Sequence, residues 1–355
     1  SEGASMRTLP GATNRKFLGC KRRLARWVCD AIFAFAGRPD SFIDGFCGTG
    51  AISLEMLSRG VEHVTCIDSL LSNTLILDGV LSDPDPRRLQ SVLLQLNSVP
   101  SCCGYATHWY ADTYFTRDNC MRIDAIRPQV DRLLVTGQIS HAERSTLLAS
   151  LLLACDRAAN TAGQYDAYLK HLGSKSFLGE RHLVDARVYE PLRLTALKMV
   201  HAPCANVITG DLLKIAPNID AEVAYLDPPY TTRQYIDNYH VLENIARWQK
   251  PELTGKTLKF PRQDLKSPFS MRRAAASAIA SALDSVRSRW IALSYNSEGI
   301  VPLADLMELS RCQGPARVLR HMYPVFGRGA GVARQRQVIE YLIMIGPRSQ
   351  TMTCR

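Results

Sequence analysis

Leu226-Asp-Pro-Pro-Tyr230 is the segment whose residue types and order commit most strongly to a chemistry. Two consecutive prolines lock the backbone after an apolar run, which holds the Asp227 carboxylate and nearby main-chain carbonyls as fixed hydrogen-bond acceptors. Tyr230 adds a flat aromatic face. Such a set suits a planar base carrying an exocyclic amine. The amine lone pair is delocalised into the ring, so the nitrogen turns nucleophilic only when acceptors take both N–H groups and draw it toward tetrahedral geometry. Asp227 and the Pro228 carbonyl are the candidate acceptors, Pro229 completes the lock, and Tyr230 is the candidate stacking ring. Without that chemistry, the tetrapeptide is simply a proline-rich strand exit.

The second candidate is Asp44-Gly-Phe-Cys-Gly-Thr-Gly50, a D-x-F-x-G-x-G pattern. Its glycines let the backbone turn tightly and approach a ligand at the carboxyl end of a strand. The G-x-G-x-x-G spacing of dinucleotide binders is not met, because Ser53 and Leu54 follow Gly50. Asp68 lies 18 residues beyond Gly50, where an acid at the tip of the next strand accepts hydrogen bonds from a ribose. Taken alone, this pair fits equally a plain strand-to-helix turn with a solvent-exposed acid.

The elements that must position these residues follow from periodicity. Leu24, Trp27, Val28, Ala31, Ile32 and Phe35 have helical spacing, and a basic approach precedes them. Residues 41–44 form a short buried strand, 51–58 a helix, and 61–68 a second strand ending on an acid. Strand, glycine turn, helix and strand open a Rossmann-type parallel sheet. From about 70 to 200, Leu, Ala and Arg dominate with a helical pattern, as in 142–159. The sheet resumes at 205–211 and 222–227, and further strands are expected at 290–295 and 338–345, with helices over 272–286 and 303–311. The predicted organisation is an α/β sheet domain of residues 6–70 and 200–355, interrupted by a helical insertion over 71–199. Residues 1–5, Ser-Glu-Gly-Ala-Ser before Met6, read as a cloning remnant.

With 355 residues, at about 150 per domain, the chain accommodates about two domains. Lys plus Arg number 43 against 33 Asp plus Glu, a net charge of +10 that favours an anionic partner, nucleic acid first. Acid-poor, Arg- and Lys-rich stretches fall at 3–29, 247–289 and 311–336, and these are the expected phosphate contacts. Phe326-Gly-Arg-Gly329 fits either a phosphate grip by Arg328 or a turn joining two strands. No apolar run approaches the roughly 18 residues of a membrane span, so no membrane partner and an intracellular location are expected. The 11 cysteines contain no C-x-x-C pair and read as reduced thiols, with no metal site expected.

The order of Lys16-Phe-Leu-Gly-Cys-Lys21, Asp44-Gly-Phe-Cys-Gly-Thr-Gly50, a helical insertion and Asp227-Pro-Pro-Tyr230 resembles the alpha group of S-adenosylmethionine-dependent adenine-N6 DNA methyltransferases, the Dam-like family. The similarity runs through most of the chain. It implies a Rossmann-like class I methyltransferase sheet, a target recognition role for the helical insertion, S-adenosylmethionine as cofactor and double-stranded DNA as substrate. By position it implies that Phe17 and Lys21 contact the methionine part of the cofactor. It also implies that Asp44, Phe46, Gly48, Thr49 and Gly50 form the cofactor cradle, that Asp68 holds the ribose, and that Asp211 approaches the adenine. Asp227 to Tyr230 would hold a flipped target adenine. Where the family carries Leu after the first Asp, this chain has Gly45, which is expected to loosen the cradle. The resemblance further implies a bacterial restriction-modification setting with a cognate endonuclease. Two other readings use the same residues: a methyltransferase acting on exocyclic amines of RNA bases, and a catalytically silent DNA-binding module.

Overall fold

The computed structural model describes residues 21–169, 186–327 and 334–348, in two compact units. One, built from Lys21–Ser69, Cys204–Tyr235 and Lys266–Arg355, holds a seven-stranded sheet. Its strands are β1 (Ser41–Asp44), β2 (His63–Asp68), β3 (Asn206–Thr209), β4 (Asp220–Leu226), β5 (Arg287–Asn296), β6 (Ala316–Gly327) and β7 (Arg334–Ile345). They lie in the order β3-β2-β1-β4-β5-β7-β6. The first five are parallel, and β7 runs antiparallel between β5 and β6. The residues joining β6 to β7, including Arg328, lie outside the described ones, as does Phe17.

The first helices are α1 (Ala25–Ala36), α2 (Ala51–Ser58), α3 (Leu71–Leu81), α4 (Pro86–Ser98), α5 (Tyr105–Tyr110), α6 (Arg117–Val135) and α7 (His141–Ala158). They are followed by α8 (Leu212–Ile215), α9 (Tyr235–Arg247), α10 (Ala275–Ser285) and α11 (Leu303–Gln313). In the sheet unit the C-terminal halves of β4 and β5 are buried at consecutive positions, so their apolar runs show no alternation. Ile43, Ile67, Leu226, Leu293 and Ile343 pack there with Ala278, Ile279 and Leu283 of α10. The α1 face is buried through Val28, Ala31 and Ile32, as its spacing requires.

The other unit contains Leu70–Pro203 and Ile236–Leu265. Buried polar ties hold the later segment to the earlier one. The Glu243 carboxylate of α9 accepts hydrogen bonds from Leu71 N and Ser72 N at the start of α3. From α6, the buried Arg127 donates to the carbonyls of Ile245 and Ala246 in the last turn of α9, both at 3.0 Å. Helices α3 and α7 meet closely at Gly79, where an added Cβ would stand 2.5 Å from Ala149 Cβ.

Candidate active site

The sheet order reverses beside β1, which pairs with β2 on one side and β4 on the other. Ligand crevices form outside the carboxyl ends of parallel strands at such a point. Asp44 ends β1, Asp68 ends β2 and Asp227 directly follows β4, so three carboxylates sit along this one edge.

After β1 the chain turns through Gly48 (φ 51°) and Gly50 (φ 74°), left-handed conformations that favour glycine. Gly50 is the N-cap of α2 and supplies no side-chain cap, while its own N–H donates to the Cys47 carbonyl at 2.7 Å and closes the turn. Gly48 N donates to Asp68 Oδ2 at 2.9 Å, so the two sequence motifs form one constellation. Thr49 is buried within the turn, and Phe46 packs edge-on against Phe269 with ring centroids 5.0 Å apart. Asp44 is buried; its Oδ2 accepts from Ser53 Oγ at 2.6 Å, while Oδ1 has no hydrogen-bond partner among the described residues. Burial pushes this carboxyl up to about 7, against the opposing pull of the Ser53 hydrogen bond. Ser53, prominent in sequence only for breaking a dinucleotide pattern, is thus what holds Asp44.

Gly45 does not loosen the turn. A Cβ at this position would meet Leu226 Cδ2 at 2.8 Å and Leu212 Cδ1 at 3.0 Å, so neighbouring leucines already fill that space. Asp211 is exposed and serves as N-cap of α8, accepting from Leu213 N at 3.1 Å.

Lys21 stands in an unexpected place. Its ammonium is buried between two carboxylates, 2.8 Å from Asp227 Oδ1 and 2.9 Å from Glu340 Oε1. It also lies 5.8 Å from the centroid of the Tyr230 ring. Burial alone lowers the proton affinity of a lysine, but Asp227 and Glu340 outweigh it and hold Lys21 well above its ordinary value. For Asp227, burial raises the carboxyl pKa, Lys21 pulls it down and Glu340 pushes it up, with a net rise. The Tyr230 carbonyl accepts from Ile300 N at 3.0 Å, and its ring meets Tyr295 edge-on, which fixes the aromatic face beside Asp227. Pro228 is buried.

Glu340 escapes the sequence reading. Its one signal is a single acid within the apolar run Val338-Ile-Glu-Tyr-Leu-Ile-Met-Ile345, a position where a buried charge needs a partner. The basic stretches are also thinner than their composition suggests. Lys21 is internal, Arg247 pairs with Glu243, Lys259 and Arg262 with Asp237, and Arg287 with Asp220. Arg22, Arg23, Arg26, Lys256, Lys266, Arg272 and Arg273 are exposed. Among the described cysteines, Cys29, Cys47, Cys66, Cys120 and Cys155 are buried, and Cys102, Cys103, Cys204 and Cys312 are exposed. No helix among the described residues is long and apolar enough to cross a membrane.

A sheet of this order with an antiparallel final strand, a glycine turn after β1 and an acid at the tip of β2 defines a Rossmann-like methyltransferase fold. The chain belongs to the D12 class N6 adenine-specific DNA methyltransferases, whose family model matches residues 17–301. It is 28% identical over 311 residues to the modification methylase LlaI of Lactococcus lactis subsp. lactis, covering 83% of this chain and 48% of that protein. To the modification methylase StsI of Streptococcus sanguinis it is 29% identical over 330 residues, covering 87% and 48%. The chain therefore spans about half the length of these two relatives. The type II methyltransferase M.CviAII of Paramecium bursaria Chlorella virus 1 is 28% identical over 341 residues, covering 93% of this chain and 97% of that protein.

Proposed function

We propose that this chain transfers a methyl group from S-adenosylmethionine to the N6 amine of adenine in double-stranded DNA. The observation that carries the reading is the Asp227 carboxylate, held rigidly at the carboxyl end of β4 with the Tyr230 ring beside it. Asp227 and the Pro228 carbonyl take the two N–H groups of the target amine and localise its lone pair, while Tyr230 stacks on the base. A base inside a duplex cannot reach a strand end, so the adenine leaves the stack at a cost of a few kcal/mol. Stacking on Tyr230, about 1–3 kcal/mol, offsets much of that cost.

The residues around β1 suit the proposed cofactor. Asp44 presents a fully buried oxygen without a hydrogen-bond partner among the described residues, which a cationic donor such as the methionine ammonium satisfies. Asp68 would hold the ribose hydroxyls, and Phe46, Gly48, Thr49 and Gly50 would line the cradle. Phe17 and Asp211 are assigned to the same ligand by resemblance alone. When bound, S-adenosylmethionine supplies an electrophilic methyl group with a neutral thioether as leaving group. No covalent enzyme intermediate and no cysteine nucleophile is required.

The exposed arginines and lysines named above would contact phosphates, with the helical unit reading the target sequence. The names of the relatives, modification methylases and type II methyltransferases, support a restriction-modification setting in the cytoplasm with a cognate endonuclease as partner. Tritiated S-adenosylmethionine tests the reaction: label is expected in adenine-containing duplex DNA, and label found only in ribosomal RNA refutes the reading. Methylation-sensitive sequencing of DNA from cells expressing the chain would test the setting and reveal the target sequence.

A further inference from the structure

Glu340 lies beyond residues 17–301, the span matched by the family model, yet it sits at the centre of the Asp227 site. Its strand β7 runs beside β5, with Glu340 paired in register to Asn296. Ser294 Oγ of β5 donates to Glu340 Oε1 at 2.6 Å, and that same oxygen receives Lys21 at 2.9 Å. Oε2 has no hydrogen-bond partner among the described residues. The side chain is completely buried.

One ammonium between two buried carboxylates leaves an excess negative charge, an arrangement that does not favour folding and that an apolar side chain in an apolar strand would avoid. Positive charge develops in the methylation step that the proposed function assigns to this site. The amine lone pair forms the new N–C bond, the C–S bond breaks with its electron pair passing to sulfur, and the nitrogen becomes cationic until one of its protons leaves to the Asp227 carboxylate. A preformed negative field is effective where such charge appears.

We propose that Glu340 is a positioning residue for this step: by sharing Lys21 with Asp227 it prevents full neutralisation of Asp227, so that the three side chains together present one negative charge to the amine nitrogen. The inference rests on the proposed function for its catalytic part, while its electrostatic part stands on this geometry alone. Among the described residues, the titratable groups that face Asp227 are Lys21 from the turn before α1, Tyr225 from β4, Tyr230 just beyond it, Asp44 from β1, Tyr323 from β6 and Glu340 itself. Among these, Glu340 is the one that opposes Lys21 directly.

Glu340→Gln in the full chain keeps the shape and removes the charge. The first readout is the pH titration of the Asp227 carboxyl carbon by 13C NMR, its signal identified by loss in Asp227→Asn. The midpoint is expected at lower pH in Glu340→Gln than in the parent, and an unchanged or higher midpoint overturns the proposal. The second is single-turnover methyl transfer to duplex DNA, expected to fall about tenfold with donor and DNA affinities preserved and with the acid limb of its pH profile moved down. A shifted midpoint with an unchanged rate overturns the positioning role. Glu340→Asp keeps the charge and is expected to retain the parent midpoint; identical behaviour of Asp and Gln variants shows that the side chain acts by packing and also overturns it. If the parent chain labels no DNA, the proposed function fails, and the NMR midpoints still decide the electrostatic claim.

Discussion

Asp44→Asn isolates a buried carboxyl whose protonation is tied to folding. In the ligand-free fold its pKa rises from an ordinary 3.8 to about 7, chiefly through burial. At 1.36 kcal/mol per tenfold change in proton affinity, that rise corresponds to about 4 kcal/mol at full size. Because the folded-state value is raised, the associated stability is complete below about pH 4 and is lost as pH climbs through 7. The ligand-free chain is therefore expected to lose stability as pH rises from about 4 to about 7, and Asp44→Asn, which still offers an acceptor to Ser53, to show a much flatter profile. Asp227, raised in the same direction, leaves the residual slope. A cationic ligand donor favours the ionised carboxylate instead, so affinity of the parent chain for S-adenosylmethionine is expected to tighten by up to about tenfold per pH unit as pH rises toward 7 and to level off above it. Heat melting at several pH values, with calorimetry for the ligand, measures both effects. Parallel stability profiles for parent and variant would refute the assignment of this titration to Asp44.

Lys21→Met leaves Asp227 and Glu340 facing each other without a cation, and a loss of about 3–5 kcal/mol is expected in denaturant unfolding, much of it restored by adding Asp227→Asn and Glu340→Gln. An effect below about 1 kcal/mol would mean that the ion triad is not formed in solution. Asp227→Ala is expected to abolish methyl transfer while DNA retention in a filter assay stays largely intact; retained transfer would show that the carboxylate does not act on the amine. Asp68→Ala removes the acceptor of Gly48 N and the proposed ribose ligand, so binding of S-adenosylmethionine is expected to weaken by about 1–3 kcal/mol, read as a raised dissociation constant. An unchanged constant sinks the ribose role.

Much of the sheet was legible because its strands end on recognisable punctuation. Asp44 before a glycine turn, Asp68 after a β-branched run and the Asp227-Pro-Pro stop each mark the carboxyl end of a strand that the structure contains. β6 was not anticipated, since its arginines suggested a phosphate contact, although Arg317 and Arg320 lie on exposed positions of an edge strand. Composition also overstated the free positive charge, because a count of lysines and arginines cannot register that Arg247, Lys259, Arg262 and Arg287 are already paired.

The amino-acid sequence by itself determined the chemistry available at the strand ends, because glycines, prolines and acids at fixed spacing act through local backbone geometry. It also determined the family, since the ordered motifs span most of the chain. Only the tertiary structure decided the partners of Lys21. Its ammonium meets Asp227 and Glu340, residues more than 200 positions away in sequence, because antiparallel insertion of β7 beside β5 brings an isolated acid to the edge where β4 ends. Spacing along a chain carries no record of that pairing; in the fold, burial obliges both carboxylates to meet the one cation, since neither can stay charged there without Lys21.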